Sequence, residues 1–97
     1  METEIRAQTK EIALDEILVA GGVALLNRGK FSDAGELFEK ALALKPNDAY
    51  TLTNLGHAYA GQGKPREAAD AFHKAIRADP LFSGRAYEGL MRTLPKC

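Results

Sequence analysis

Residues 52–80 decide the fold of this chain, and they read LTNLGHAYAGQGKPREAADAFHKAIRADP. Apolar and small residues at helical spacing precede a pair of glycines, and the same spacing resumes after the glycines and stops at Pro80. The residues at this spacing are Leu52, Leu55, Gly56 and Tyr59 before the glycines, and Ala68, Phe72 and Ala75 after them. The pattern predicts two helices that are joined by a turn at Gly61 and Gly63.

The same pattern occurs earlier in the chain, between Leu18 and Pro46. Ten residues of this upstream segment are identical to their partners downstream: Leu18 and Leu52, Gly22 and Gly56, Ala24 and Ala58, Gly29 and Gly63, Lys30 and Lys64, Ala34 and Ala68, Phe38 and Phe72, Lys40 and Lys74, Ala41 and Ala75, Pro46 and Pro80. A period of about 34 residues with leucine–glycine–aromatic, alanine–phenylalanine and proline positions is typical of a helical repeat. On these residues the chain resembles the tetratricopeptide repeat (TPR) family over residues 15–82.

The resemblance implies an all-α fold, in which antiparallel helix hairpins stack as a short right-handed superhelix. It divides the chain into an N-terminal helical extension (1–14), a first repeat (15–48), a second repeat (49–82), a C-terminal capping helix (83–94) and a tail (95–97). The capping helix is expected because the last repeat of a solenoid needs cover for its apolar side. Ser83 is expected to cap this helix, and Tyr87, Leu90 and Leu94 are expected to share one face of it, with Ala86 beside them.

Composition excludes several function classes. The 97 residues carry 13 lysines and arginines against 13 aspartates and glutamates, so no net charge draws the chain to nucleic acid or to an anionic membrane. The longest apolar run, residues 17–26, is about half a membrane span, and the polar N-terminus lacks the apolar core of a signal peptide. A single cysteine, Cys97, forms no internal disulfide, which predicts a reducing, cytoplasmic setting.

Residues 1–14 leave two interpretations open. Ile5, Ile12, Val19 and Leu26 recur at every seventh position, which keeps them on one stripe of a helix. The absence of glycine and proline before Gly21 favours one continuous helix over residues 3–28, and the alternative is a frayed polar tail.

No catalytic, metal or cofactor site is predicted. His57 and His73 lie on different predicted helices, and neither has cysteine or carboxylate neighbours at metal-ligand spacing. Ser32 and Ser83 lie at predicted helix starts, where capping explains them better than nucleophilic catalysis. The stretch Gly61-Gln62-Gly63-Lys64 lacks the spacing of a phosphate-binding loop. We therefore predict that the chain is not an enzyme.

The resemblance implies that the first helix of each repeat lines a groove that binds a protein or peptide. The groove-facing positions of the family correspond here to Glu16, Val19, Ala20, Val23, Leu26 and Asn27, and to Tyr50, Thr53, Asn54, His57, Ala60 and Gly61. Asn54 matches an asparagine that the family often uses to hydrogen-bond a peptide backbone. Val19 and Val23 stand where family members that grip a C-terminal carboxylate have lysine and asparagine, which argues against such a clamp.

Val19, Val23 and Leu26 form an apolar stripe that is either partly covered by the second helix of the hairpin or open to an apolar partner helix. Because a stable solenoid usually needs three repeats, we also predict a homodimer or higher oligomer through Ile5, Ile12, Val19 and Val23. The predicted function is a protein-interaction scaffold or adaptor. The alternative is a small chaperone that sequesters an aggregation-prone helix, as in bacterial secretion systems. The sequence does not identify the partner or a role for Cys97.

Overall fold

The computed structural model describes the backbone of residues 2–81 and 84–93 and the side chains of residues 14–81 and 86–92. Its elements are the helices α1 (Glu2–Asn27), α2 (Phe31–Leu44), α3 (Ala49–Gly61), α4 (Pro65–Ala78) and α5 (Gly84–Thr93). Consecutive helices pack against one another, and none of the described residues lies in a strand. The predicted all-α fold of helix hairpins is therefore confirmed.

Two glycines in the left-handed conformation end α1 and α3 and turn the chain into the next helix. The φ angle is 78° at Gly29 and 75° at Gly63. In each turn the N–H of the following lysine donates to a carbonyl near the end of the helix, from Lys30 to Leu25 and from Lys64 to Tyr59, at 2.9 Å in both cases. This is the Schellman arrangement, in which a residue without Cβ is strongly favoured. Gly63 thus has the geometry expected of the predicted turn and Gly29 has the same geometry in the first hairpin, whereas Gly61 is the last residue of α3.

A phenylalanine against a glycine forms the centre of each hairpin. Phe38 on α2 and Phe72 on α4 are fully buried. A Cβ added at Gly22 on α1 would lie 2.5 Å from the Phe38 ring, and one added at Gly56 on α3 would lie 2.4 Å from the Phe72 ring. The bare glycine backbone therefore lets the paired helices approach until the ring fills the space between them.

Helix α1 is longer than its partner and extends past the end of the hairpin. It has 26 residues against 14 in α2, and Asp15 of α1 pairs with Lys45, the first residue after α2. The preceding turns of α1 contribute to an elongated molecule of 59 × 28 × 18 Å. The backbone of the N-terminal stretch therefore follows the continuous-helix interpretation. The side chains of Ile5 and Ile12 lie outside the described residues, and self-association stays a prediction.

Helix α5 packs on α4 through its smallest residues. Ala86 and Gly89 are buried, and a Cβ at Gly89 would lie 2.4 Å from the Phe72 ring. Tyr87, expected to share one face with Leu90, is 47% exposed, whereas Ala86 beside it is fully buried. A large ring at the interface would hold α5 away from Phe72, so the close approach selects the alanine–glycine stripe. Ser83 and Leu94 lie outside the described residues.

Two helix starts differ from the expected caps. Helix α2 begins at Phe31, so Ser32 is already inside the helix, and Lys30 occupies the cap position without a side-chain hydrogen bond. Asp48, a plausible cap by its residue type, occupies the cap position of α3, but its carboxylate accepts from the Thr51 hydroxyl at 2.6 Å instead of from a backbone N–H. Both helices start without the side-chain-to-backbone bond that a serine or aspartate cap usually supplies.

Candidate functional site

Two adjoining cavities lie along α1 and the first turns of α3, and they share Asp48 and Tyr50. The cavity beside α1 measures about 510 Å³ and the cavity beside α3 about 480 Å³. We call the two together the α1–α3 groove. Its lining comprises Asp15, Glu16, Val19, Ala20, Val23, Lys45, Asn47, Asp48, Ala49, Tyr50, Thr53, Asn54, Ala78 and Asp79.

The floor of the groove beside α1 is apolar. Val19 and Val23 are half-buried, pack against the core cluster that contains Phe38 and Leu55, and also line the cavity. The core therefore covers one side of these two valines, and the cavity opens on the other side. Binding of a partner helix to the open side stays a prediction. Leu26, the third member of the stripe, packs against the same core cluster.

Asn54 and Thr53 carry the polar groups on the α3 side of the groove. The Thr53 hydroxyl donates to the Ala49 carbonyl at 2.8 Å, so its hydrogen is already used within the helix. Only 4% of the Asn54 surface is exposed, and among the described residues its Nδ2 has no hydrogen-bond acceptor. An amide donor in this position has lost its water without gaining a partner, which costs roughly 1–3 kcal/mol.

Acidic residues surround the groove. Among the residues that the structure describes, the lining beside α1 contains the carboxylates of Asp15, Glu16 and Asp48 and one basic residue, Lys45. The Lys45 ammonium lies 3.5 Å from the nearly buried Asp15 carboxylate. The groove thus has an excess of negative charge, although the chain as a whole is neutral.

The structure places seven of the twelve predicted groove residues on this surface: Glu16, Val19, Ala20, Val23, Tyr50, Thr53 and Asn54. Asn27 is exposed at the far end of α1. His57 packs the edge of its ring against Phe72, with 5.1 Å between the ring centroids. These two residues lie further along the helices, and their role in a groove stays a prediction.

Sequence reasoning missed Asp15, Lys45 and Asp48 as groove residues. Asp15 lies one helical turn before Val19 and two turns before Val23, so helical periodicity alone would have placed it on their face. Lys45 and Asp48 lie in the loop between α2 and α3, where no periodicity indicates a direction. In the described part of the chain, no helix is long and apolar enough to span a bilayer, and no cluster of potential metal ligands forms.

Comparison with known proteins identifies the repeats and the fold. A family model described as TPR repeat matches residues 22–63, and one described as tetratricopeptide repeat matches residues 49–81. The TPR domain of Sgt2 from Aspergillus fumigatus has a similar structure, with a TM-score of 0.77 and 29% identity over 81% of this chain and 52% of that one.

Two curated relatives are much longer proteins. A probable UDP-N-acetylglucosamine–peptide N-acetylglucosaminyltransferase SPINDLY from Solanum lycopersicum is 41% identical over 88% of this chain, which corresponds to 9% of the relative. A peroxisomal targeting signal receptor from Saccharomyces cerevisiae is 31% identical over 74% of this chain and 12% of the relative. The chain thus spans about a tenth of the length of these relatives.

Proposed function

This chain belongs to the tetratricopeptide repeat family, and from that premise we propose that it is a protein-interaction module whose α1–α3 groove binds a peptide or helix of a partner. Within the proposal no bond is made or broken, and the chain acts by presenting a preformed surface. A receptor for a targeting signal among the relatives supports a role in protein binding. We include a cytoplasmic setting in the proposal on the sequence argument from Cys97.

The observation that carries the proposal is the buried Nδ2 of Asn54 beside the groove. On binding, a rotation of the Asn54 side chain toward the cavity would let a main-chain carbonyl of the peptide accept from this donor and remove the cost of leaving it unpaired. The half-buried Val19 and Val23 offer apolar side chains of the same ligand a surface on the α1 side. Such a combination of an apolar surface with a few placed polar groups is typical of peptide sites.

A random peptide library displayed on phage and selected against the full chain tests the proposal. We expect peptides to be enriched and to bind in direct titration. Val23→Glu should abolish that binding, because it places a carboxylate on the apolar floor. Ala24→Glu is the matched control, since Ala24 is exposed on α1 and outside the groove lining. Failure to enrich any peptide, or equal loss in both variants, would contradict the proposal.

Self-association through the N-terminal part of α1, outside the groove lining, is a second candidate function. Leu14 and Ile17 on α1 are 53% and 66% exposed, next to the part of the helix that extends past the hairpin. At the position equivalent to Ile17 in the second repeat, Thr51 is 1% exposed, so this end of the solenoid lacks the cover that the next repeat has. Light scattering over a concentration series should then show an oligomer that the double change Leu14→Glu and Ile17→Glu dissociates. A monomer at all concentrations would exclude this candidate.

A further inference from the structure

We infer that the peptide bound by the α1–α3 groove carries a lysine or arginine that enters the groove beside Asp48 and Tyr50. The inference rests on the proposed function, because it names the chemistry of the ligand of that same site. It is drawn from the charges of the lining, from one unpaired buried donor and from an exposed ring.

The charges that face the groove are unbalanced. Among the described residues beside α1, the carboxylates of Asp15, Glu16 and Asp48 line the groove against the single ammonium of Lys45, which already pairs with Asp15 at 3.5 Å. Because the complete chain has no net charge, this excess is a local property of the groove. A concave surface of one sign concentrates ligands of the opposite sign and speeds their association. A cationic group is therefore the complement of this surface.

The buried amide donor of Asn54 indicates that the positive charge belongs to a peptide. Its Nδ2 is a donor and calls for an acceptor, whereas an isolated cation offers none. The acidic rim and the amide donor together require a ligand with both a carbonyl oxygen and a positive charge. A peptide with a basic side chain has both, and the methylene stem of that side chain suits the apolar floor at Val19 and Val23.

Tyr50 adds an aromatic ring to the groove. It lines both cavities and is 56% exposed, so its ring is accessible where the acidic and apolar parts of the groove meet. The face of a phenol ring attracts an ammonium or guanidinium group within about 6 Å of its centre. A peptide with an acidic side chain at the same place would instead set like charges against Glu16 and Asp48.

The experiment starts from the strongest peptide selected by phage display against the full chain. The peptide is synthesised in two forms, with its lysines and arginines intact or replaced by glutamine, and each form is titrated against the chain at low and at high salt. The protein variant combines Glu16→Lys with Asp48→Asn, which keeps an acceptor for the Thr51 hydroxyl. The control is Glu36→Lys, which makes the same glutamate-to-lysine change at an exposed residue of α2 outside the groove lining.

We expect the selected peptides to be rich in lysine or arginine. Replacement of these residues by glutamine should weaken binding at least tenfold, the groove variant should do the same, and the control should bind as the parent chain does. Added salt should weaken the intact peptide more than the glutamine form, because screening acts on the charges.

Any of several results would overturn the inference. Selection of peptides without basic residues, whose binding Val23→Glu still abolishes, would support the proposed function and refute the charge preference. Basic peptides that are indifferent to Glu16→Lys with Asp48→Asn would be bound elsewhere. A dimer that Val23→Glu dissociates would show that a second copy occupies the groove, and a failure to select any peptide would refute the proposed function as well.

Discussion

Gly56 and Phe72 are in contact so close that an added Cβ at Gly56 would lie 2.4 Å from Cε1 of the phenylalanine ring. The same relationship joins Gly22 to Phe38 in the first repeat, at 2.5 Å. The ring fills the space between the paired helices, and it reaches that space only because the facing residue has no side chain. The two hairpins therefore pack through the same pair of residue types, a glycine on the first helix and a phenylalanine on the second.

Gly56→Ala should destabilise the chain even though alanine is the better helix former. The added methyl group overlaps a fully buried ring on a neighbouring helix. Such overpacking typically lowers the free energy of unfolding by about 1–3 kcal/mol. Urea unfolding followed by circular dichroism measures the change in the free energy of unfolding.

Gly35→Ala is the matched control for this change. Gly35 is also a buried helical glycine, but its added Cβ would meet Gln62 Nε2 at 3.4 Å and nothing else closer than 3.9 Å. Because the added methyl group fits, helix propensity determines the effect, and we expect the free energy of unfolding to rise by about 0.5–1 kcal/mol. Equal effects of the two substitutions would contradict the assignment of Gly56 as the contact that sets the helix separation.

Much of this packing can be predicted from the sequence, because it follows from periodicity. Glycine, alanine and phenylalanine recur at fixed offsets in both repeats, and the glycine–phenylalanine offset corresponds to one contact between paired helices. The turns at Gly29 and Gly63 follow for the same reason, since few residues other than glycine adopt the left-handed φ found there.

The parts that the sequence did not predict depend on geometry that periodicity does not encode. Tyr87 and Ala86 are neighbours on α5, and which of them is buried depends on how closely α5 approaches Phe72. The charged lining of the groove arises because the loop residues Lys45 and Asp48 lie beside Asp15 and Glu16 of α1 in space. These two pairs are separated in the chain by most of the first repeat, and their positions give no sign of this meeting.

Asn54→Leu should separate stability from binding. Leucine has nearly the same shape as asparagine but no buried donor, so the unpaired Nδ2 and its desolvation cost disappear. We expect the free energy of unfolding to be unchanged or to rise by up to about 1 kcal/mol. Binding of a peptide selected on the parent chain should weaken at least tenfold in fluorescence anisotropy titrations. A variant that loses stability and keeps its affinity would assign Asn54 to the core and not to the groove.

The ion pair between Lys45 and Asp15 should be worth more than an ordinary surface pair. The Asp15 side chain is only 10% exposed, so Lys45→Met leaves a nearly buried carboxylate without its ammonium partner. We expect a loss of about 1–3 kcal/mol in urea unfolding. Addition of Asp15→Asn should recover much of this loss, because the buried charge is then gone.

Lys40→Met controls for the removal of a lysine as such, since Lys40 is exposed on the adjoining helix, α2. It should change the free energy of unfolding by less than about 0.5 kcal/mol. The coupling energy of the double-mutant cycle on Lys45 and Asp15 is the decisive quantity. A coupling near zero would show that the two side chains contribute independently despite their 3.5 Å separation.

Tyr59 should make the stability of the fold fall at alkaline pH. Burial raises the pKa of the Tyr59 phenol above its ordinary value of 10.0, and the carboxylates of Glu39 and Glu67 raise that pKa further. The folded chain therefore keeps this proton at a pH where the unfolded chain has lost it. The contribution is fully present below pH about 10 and is lost as the pH rises through the higher pKa of the folded state.

Urea unfolding at a series of pH values from about 8 to about 11 should show a steeper decline in the free energy of unfolding for the parent chain than for Tyr59→Phe, which has no phenol to ionise. Glu39→Gln removes one cause of the raised pKa, together with the carboxylate that accepts from the Tyr59 hydroxyl at 3.4 Å, and should give an intermediate slope. Identical slopes for the parent chain and Tyr59→Phe would mean that the phenol ionises with the same pKa in the folded and unfolded states.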